Sequence, residues 1–238
     1  MNLRFDDLAL HQAAFEIRYD DAFLLWDRSG SVWAELLSAQ PDLRPTHAEP
    51  NKIVFARRGD RELQLTVELR RLVVVAVQPD TQLSEFSEIV TRFAEIAVRN
   101  LQISVCSRVG LRVSFMKEYA DREAAAEALL QTGMLSLPPD PVFGLSTPVV
   151  EPEISIRRED SKNGFSLRLK AETITFELDP SFGLAKLIKP ESILKHRIHL
   201  DVDSYIQAPI EASKLYFSDW INQTFHVIKR DSRKFFGD

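Results

Sequence analysis

The stretch between residues 63 and 100 constrains the fold of this chain more than any other part of the sequence. Apolar and polar residues alternate over Leu63–Leu69, which predicts a strand with one apolar face and one wet face. The next run, Leu72–Val77, is apolar at every position, so we expect a central strand that is covered on both faces. Glu85–Asn100 then carries apolar residues at helical spacing. A helix packed across an antiparallel sheet follows from this order of elements.

The same two periodicities recur along the rest of the chain. They predict further strands at Ala13–Tyr19, Lys52–Arg57, Ile103–Phe115, Glu153–Arg158, Phe165–Leu169, Thr173–Leu178 and His196–Tyr205, and helices within Ala22–Ala39, Asp121–Leu130 and Ser213–Arg230. We expect Ser29–Ser31 to break or cap the first helix, and the prolines between residues 41 and 50 to mark a loop. Asn163-Gly164 is typical of a hairpin turn.

These elements predict an α+β fold made of a duplicated unit. Residues 1–102 read β-α-β-β-β-α and residues 103–238 read β-α-β-β-β-β-α. Each half supplies an antiparallel sheet and one long helix that can pack across it, and we expect the halves to form one compact piece. In element order alone, this plan resembles TATA-binding protein and the helix-grip folds, which implies a fold but no function.

Composition narrows the environment and the partners of the chain. Its 238 residues are 45% apolar, enough for a full core, and its net charge of -5 does not favour nucleic acid as the partner. The single cysteine, Cys106, rules out an intramolecular disulfide. Acidic residues within Met1–Leu10 are unlike a secretory signal, and the longest apolar run is too short to span a bilayer. We therefore expect a cytoplasmic protein without a membrane partner.

A candidate metal site lies on the strand near residue 200. Alternation places Ile198, Leu200 and Val202 towards the core, and the opposite face carries the candidate ligands His199, Asp201 and Asp203. A histidine and two carboxylates at this spacing can hold a divalent metal. The alternative interpretation is a solvated strand face on which Arg197 neutralises one of the carboxylates.

Basic residues form the other candidate binding site. Arg57 and Arg58 lie at one predicted hairpin, and Arg70 and Arg71 lie at the next turn. Basic charge near aromatic residues can bind nucleic acid, although the acidic overall balance makes this partner less favoured than a protein. Cys106 is interpreted either as a small buried hydrophobe or as a thiol activated by a nearby arginine.

Three segments resemble a known protein family. They are Phe15-Glu-Ile-Arg18, Arg108-Val-Gly-Leu-Arg-Val-Ser-Phe115, and His199-Leu-Asp-Val-Asp-Ser-Tyr205 followed by an amphipathic helix. Their order and spacing resemble a sporadically distributed bacterial family of uncharacterised proteins of about this length. Members often carry an Asn-Arg pair after the Gly-Leu-Arg stretch, where this chain has Ser114 and Phe115. The resemblance implies no catalytic residues and no cofactor.

These observations favour a non-enzymatic binding protein that recognises a macromolecule. Another protein is the first candidate for this partner. Neither a Gly-x-Ser-x-Gly motif nor a glycine-rich phosphate loop is present in the sequence, and no cofactor is expected. A second copy of the chain is a further candidate partner, through exposed sheet edges. Two alternatives stay open: a small-ligand pocket between helix and sheet, and a metal-dependent enzyme that uses His199, Asp201 and Asp203.

Overall fold

The computed structural model describes residues 3–57, 62–136, 147–176, 193–207 and 209–237. Its helices are α1 (Leu24–Ala39), α2 (Ser84–Leu101), α3 (Arg122–Leu130) and α4 (Phe217–Phe236). Its strands are β1 (Ala9–Tyr19), β2 (Arg44–Glu49), β3 (Lys52–Arg57), β4 (Leu63–Glu68), β5 (Arg71–Val77), β6 (Val105–Tyr119), β7 (Glu153–Glu159), β8 (Asn163–Phe176), β9 (Ile193–Ile206) and β10 (Ile210–Glu211). Among the helices of these residues, none combines the length and apolar character needed to cross a membrane.

All strands join one antiparallel sheet. Its order is β2-β3-β4-β5-β1-β6-β9-β8-β7, and the short β10 pairs with the start of β6. The centre is the pair β1–β6, in which Phe15 lies opposite Leu111. β2 and β7 are the outer strands. The predicted α+β class, with a large antiparallel sheet and long helices, is confirmed.

The helices cover one face of the sheet. α1 packs on α2, and α2 packs on α4, so that these three form a layer; α3 lies over β8 and β9. The ring of Phe15 meets Phe217 and Trp220 of α4 at centroid distances of 5.9 and 6.1 Å. The other face of the sheet, which we call the open face, carries no helix in the described part of the chain.

Helix α2 lies over the centre of the core, as its sequence predicts. Phe86, Val90 and Phe93 are buried on its apolar stripe. The Asp80 carboxylate accepts a hydrogen bond from the backbone N–H of Ser84 at 3.0 Å, so Asp80 satisfies one of the free N–H groups at the start of the helix.

Two expectations for the first half of the chain are wrong. Helix α1 runs unbroken through Ser29–Ser31, because Leu25, Val32 and Leu36 are buried on either side and Gly30 faces open space. This tertiary packing outweighs the weak local helix propensity. The segment Arg44–Glu49 is the strand β2 instead of a loop. It tolerates Pro45 because an outer strand needs hydrogen bonds on one side only.

The second half also differs from the prediction in its strands. Phe165–Leu169 and Thr173–Leu178 were expected as two strands, whereas β8 runs continuously from Asn163 to Phe176, and residues 177 and 178 lie outside the described residues. The hairpin between β7 and β8 is present, but its turn comes before Asn163. There the Asp160 carboxylate accepts the N–H groups of Lys162 and Asn163 at 2.7 and 2.6 Å.

Strand β5 lies inside the sheet but is covered on one face only. Leu72, Val74 and Ala76 are buried under the helices. Val73, Val75 and Val77 are partly exposed on the open face. The uninterrupted apolar run therefore reflects a central position in the sheet, and the expected second cover is absent from the described residues.

Candidate recognition groove and charged sheet face

Ion pairs cover the open face on the second half of the sheet. Arg112 donates two hydrogen bonds to Asp201, at 2.8 and 2.7 Å, across the β6–β9 pair. Arg168 on β8 donates two to Glu153 on β7, both at 2.7 Å. Side chains alternate between the two faces along each strand, and the strand register keeps positions of the same face opposite each other. These four side chains therefore lie on one face of the sheet.

Arg108 is a largely shielded member of this ladder of ion pairs and has two carboxylate partners. It donates to Glu16 on β1 at 2.6 Å and to Asp203 on β9 at 2.8 Å, and its guanidinium lies 4.6 Å from the ring centre of Tyr205. Side-chain exposure is 18% for Arg108, 19% for Glu16 and 24% for Asp203. Burial raises the pKa of the Asp203 carboxyl, and the charge of Arg108 opposes that rise.

The three candidate metal ligands share one face, as the sequence predicts, and the two carboxylates already have arginine partners. Asp201 and Asp203 accept from arginines, and His199 Nδ1 lies 3.3 Å from Glu172. Burial lowers the pKa of His199, so its imidazole is neutral near pH 7. Within the described residues, no group of three or more His, Cys, Asp or Glu side chains is placed to hold a metal ion. The metal site stays a prediction. An ion-pair face fits the geometry better, but Arg197 pairs with Glu172 at 2.7 Å, and the arginines that neutralise the two aspartates are Arg108 and Arg112.

The candidate arginines do not form one patch among the described residues. Arg57 pairs with Asp42 and Glu85, each at 3.0 Å, at the β3–β4 end of the sheet. Arg71 pairs with Glu68 at 2.6 Å at the opposite end of β4. Arg70 donates to Asp21 at 2.6 and 3.0 Å. Arg58 lies outside the described residues. Binding by these residues stays a prediction.

Cys106 behaves as a small hydrophobe. Its side chain is fully buried, and burial raises the pKa of its thiol to about 11. A thiol with that pKa is protonated near pH 7 and is a poor nucleophile. Of the two interpretations of Cys106, the structure favours the packing role.

A groove opens where α4 leaves the last strands of the sheet uncovered. Its volume is about 420 Å³. The floor comes from β7, β8 and β9 and the wall from α4, and most of the lining is apolar: Ile156, Phe165, Leu167, Val202, Val227 and Phe235. Phe165 and Val227 remain 36% and 40% exposed, so an apolar surface faces solvent here. We call this feature the α4 groove.

Charge at the α4 groove is unbalanced. The Asp231 carboxylate on α4 is neutralised by Arg230 at 2.8 Å and by Lys234 at 3.2 Å. Arg158 on β7 also lines the groove and is exposed, and it forms no ion pair with a residue of the described part of the chain. Among the described residues, the groove therefore offers one cation without an ion-pair partner, Arg158, beside an apolar floor.

Sequence reasoning missed the α4 groove because its residues come from three distant segments. A weak signal was present in Val227 and Phe235, which are apolar but lie beside the main stripe of α4. Phe236 packs back on the core against Phe5 at a centroid distance of 6.3 Å, whereas Phe235 lines the groove.

Comparisons with known proteins add little. No family model matches the chain, and no curated protein matches it. Among solved structures, it is similar to the NMR structure of PA4090 from Pseudomonas aeruginosa, with 13% sequence identity and a TM-score of 0.25. The match covers 37% of this chain and 82% of that chain. A likeness of this size carries no argument about fold or function.

Proposed function

We propose that the chain is a non-enzymatic binding protein, and that the α4 groove receives an amphipathic helix of a protein partner. The observation that carries this proposal is the apolar groove of about 420 Å³ beside α4. Exposed apolar surface of this kind marks interaction sites on soluble proteins.

The dimensions of the two layers support a helix as the occupant. Strands lie about 4.8 Å apart, so the nine-strand path spans roughly 40 Å. Helices pack 8–10 Å apart, so the layer formed by α1, α2 and α4 covers roughly 30 Å of that width. The uncovered remainder is about one helix wide and lies over β7 and the start of β8; α3 also packs on β8, but none of its residues lines the groove. A partner helix would complete the layer and bury Phe165 and Val227.

Arg158 supplies the selectivity of the proposed site. A guanidinium that no described residue neutralises, placed beside an apolar floor, favours a helix that carries an acidic residue next to its apolar stripe. Asp231 does not compete for Arg158, because Arg230 and Lys234 already neutralise it.

Selection from a library of amphipathic helical peptides on the folded protein tests this proposal. We expect enriched peptides with apolar residues at i, i+3, i+4 and i+7 and an acidic residue beside them. Val227→Glu should abolish their binding, and Arg158→Glu should shift the preference to basic peptides. The matched control is Val105→Glu, because Val105 is equally exposed at 41% but lies outside the groove. Equal binding by the Val105 and Val227 variants would contradict the proposal.

A small amphipathic anion is the second candidate occupant. The groove volume lies within the roughly 300–1,000 Å³ that is usual for ligand pockets. A fluorescent C12 fatty acid is a suitable probe, because its chain can lie on the apolar floor and its carboxylate can pair with Arg158. Saturable binding that Val227→Glu removes, together with no enriched peptide, would favour this candidate over the helix.

We also propose that the two halves of the sheet are copies of one β-α-β(3-4)-α unit, as in TATA-binding protein or the helix-grip folds. The strand order supports this: each half places its first strand at the centre, its last strand next, and its remaining strands in reverse order towards the edge. The first half has four strands after its helix, and the second half has three and the short β10, which is off the path of the sheet, so that β9 is the last long strand of that half. Superposition of residues 9–101 on residues 105–236 by matched elements tests the duplication.

A further inference from the structure

Strand β7 has a free side. It is the last strand of the sheet, and in the described part of the chain only β8 pairs with it. Ala171 N–H donates to Pro152 C=O at 3.0 Å, and Asp160 N–H donates to Asn163 C=O at 2.8 Å. Bonding alternates along an antiparallel strand, so residues 152, 154, 156, 158 and 160 bond towards β8. The backbone groups of Glu153, Ser155, Arg157 and Glu159 then point outward.

We propose that two copies of the chain form a dimer by antiparallel pairing of their β7 strands about a two-fold axis at Ser155. In this register, Glu153 lies opposite the partner's Arg157, and Ile154 lies opposite the partner's Ile156. Each relation occurs twice, because a two-fold interface repeats every contact. The open face gains two pairs of opposite charge, and the helix face gains two apolar pairs.

The other two-fold registers of β7 are poorer. An axis at Ile156 sets Glu153 opposite the partner's Glu159, and these two negative charges repel each other. An axis at Arg157 sets Arg157 opposite the partner's Arg157, and these two positive charges also repel each other. An axis at Ile154 sets Glu153 opposite the partner's Ser155 and shortens the paired segment. If the two-fold axis passed between two residues, each residue whose backbone groups point outward would lie opposite a residue whose backbone groups point towards β8. The inter-strand hydrogen bonds could then not form. Only the axis at Ser155 satisfies hydrogen bonds, charge and apolar contact together.

Existing contacts of these residues are compatible with the dimer. Glu153 already accepts from Arg168, and Arg157 pairs with Glu159, but all four side chains are at least one-third exposed. Exposed ion pairs contribute little, so their rearrangement costs little. Pro152 does not obstruct the pairing, because its position bonds towards β8. The dimer also adds the partner's Ile154 and Ile156 beside Ile156, which extends the floor of the α4 groove without filling it.

Two kinds of variant test the pairing. Ser155→Pro removes one outward N–H and no bond to β8, so it should convert the dimer to a monomer with little loss of thermal stability. Ser155→Ala keeps that N–H and should remain a dimer. Molar mass is measured by light scattering on a size-exclusion column over a concentration series.

Charge reversal provides a test that does not depend on proline. Arg157→Glu or Glu153→Arg alone turns two attractive pairs into two repulsive pairs, which should weaken the dimer at least about tenfold. Both changes in one chain should restore it. A monomer at every concentration, or a dimer that none of these variants affects, would overturn the inference. This inference is independent of the proposed function: the Ser155→Pro monomer should still bind the selected peptides, and Val227→Glu should still dimerise.

Discussion

Replacing Arg108 by methionine tests whether the ion-pair ladder on the open face stabilises the fold. Arg108 bridges Glu16 and Asp203 and lies over the ring of Tyr205. Methionine keeps much of the side-chain volume and removes the charge. Glu16 keeps a second partner, Arg18, at 2.8 Å, so the loss falls mainly on Asp203.

The burial of the two side chains sets upper and lower bounds on the expected loss in the free energy of unfolding. Breaking a fully buried ion pair costs about 3–5 kcal/mol, and breaking an exposed pair costs about 0–1 kcal/mol. Arg108 and Asp203 are 18% and 24% exposed, so about 2 kcal/mol is expected for the pair. The lost contact with Tyr205 adds about 0.5 kcal/mol. For a chain of this size, the sum corresponds to a fall in Tm of roughly 5–10 °C.

The loss should depend on pH in a defined direction. Burial raises the pKa of Asp203 above its unfolded value, and removing Arg108 raises it further. The folded variant then holds a proton that the unfolded chain releases, so this group stabilises the variant only at low pH. Its contribution disappears as pH rises from about 4 through the folded pKa. The difference in the free energy of unfolding between wild type and variant should therefore be small near pH 4 and reach its full size at pH 7.

Urea unfolding followed by circular dichroism at both pH values measures this difference. Arg112→Met is the matched control, because Arg112 is 62% exposed and its partner Asp201 keeps Arg168 opposite on β8. That control should lose less than about 1 kcal/mol. Adding Asp203→Asn to Arg108→Met should recover more than half of the loss. Equal losses for the two arginine variants, or a loss that is the same at both pH values, would refute the reasoning.

Three further predictions concern the core and the sheet. Phe15→Ala should cost about 3–5 kcal/mol in urea unfolding, because Phe15 is fully buried at the centre of the sheet; a loss below about 1.5 kcal/mol would contradict this. Gly164→Ala should cost about 1–3 kcal/mol, because its added carbon would lie 2.5 Å from the Tyr205 ring, and the cost should vanish when Tyr205→Ala is also present. Cys106 should resist Ellman's reagent at pH 8 in the folded protein and react after unfolding, because its thiol is buried with a pKa of about 11; rapid reaction of the native protein would show that this strand opens.

The helices were predictable where their ends and buried faces depend on residues within the helix or next to it. The stripe of α2 defines its buried face, and Asp121 caps α3 as expected, accepting from Ala124 N–H at 2.7 Å. Prediction failed where a distant contact decides the local structure. Ser29–Ser31 stays helical because its neighbours pack on α2, and Pro45 lies in a strand because β2 is at the edge. Neither fact is visible within a short window of sequence.

The open face was predictable in part. Alternation correctly separated His199, Asp201 and Asp203 from the buried side of β9. Their partners could not be predicted, because Arg108 and Arg112 are brought opposite them by strand order, which periodicity does not encode. The α4 groove was hidden for the same reason: its walls meet only after β7, β8 and β9 have assembled beside α4.

The central position of β1 and β6 has a consequence for synthesis on the ribosome. The two strands bring together residues that are far apart in the sequence; for example, Glu16 and Arg108, which are 92 positions apart, form an ion pair across them. When the first half of the chain has emerged, β1 can pair with β5 but its other side has no partner yet. Such nascent chains would expose a long strand edge until β6 arrives, and long-range pairing of this kind is slow. The β1–β6 contact therefore makes the interval before β6 emerges a period of aggregation risk.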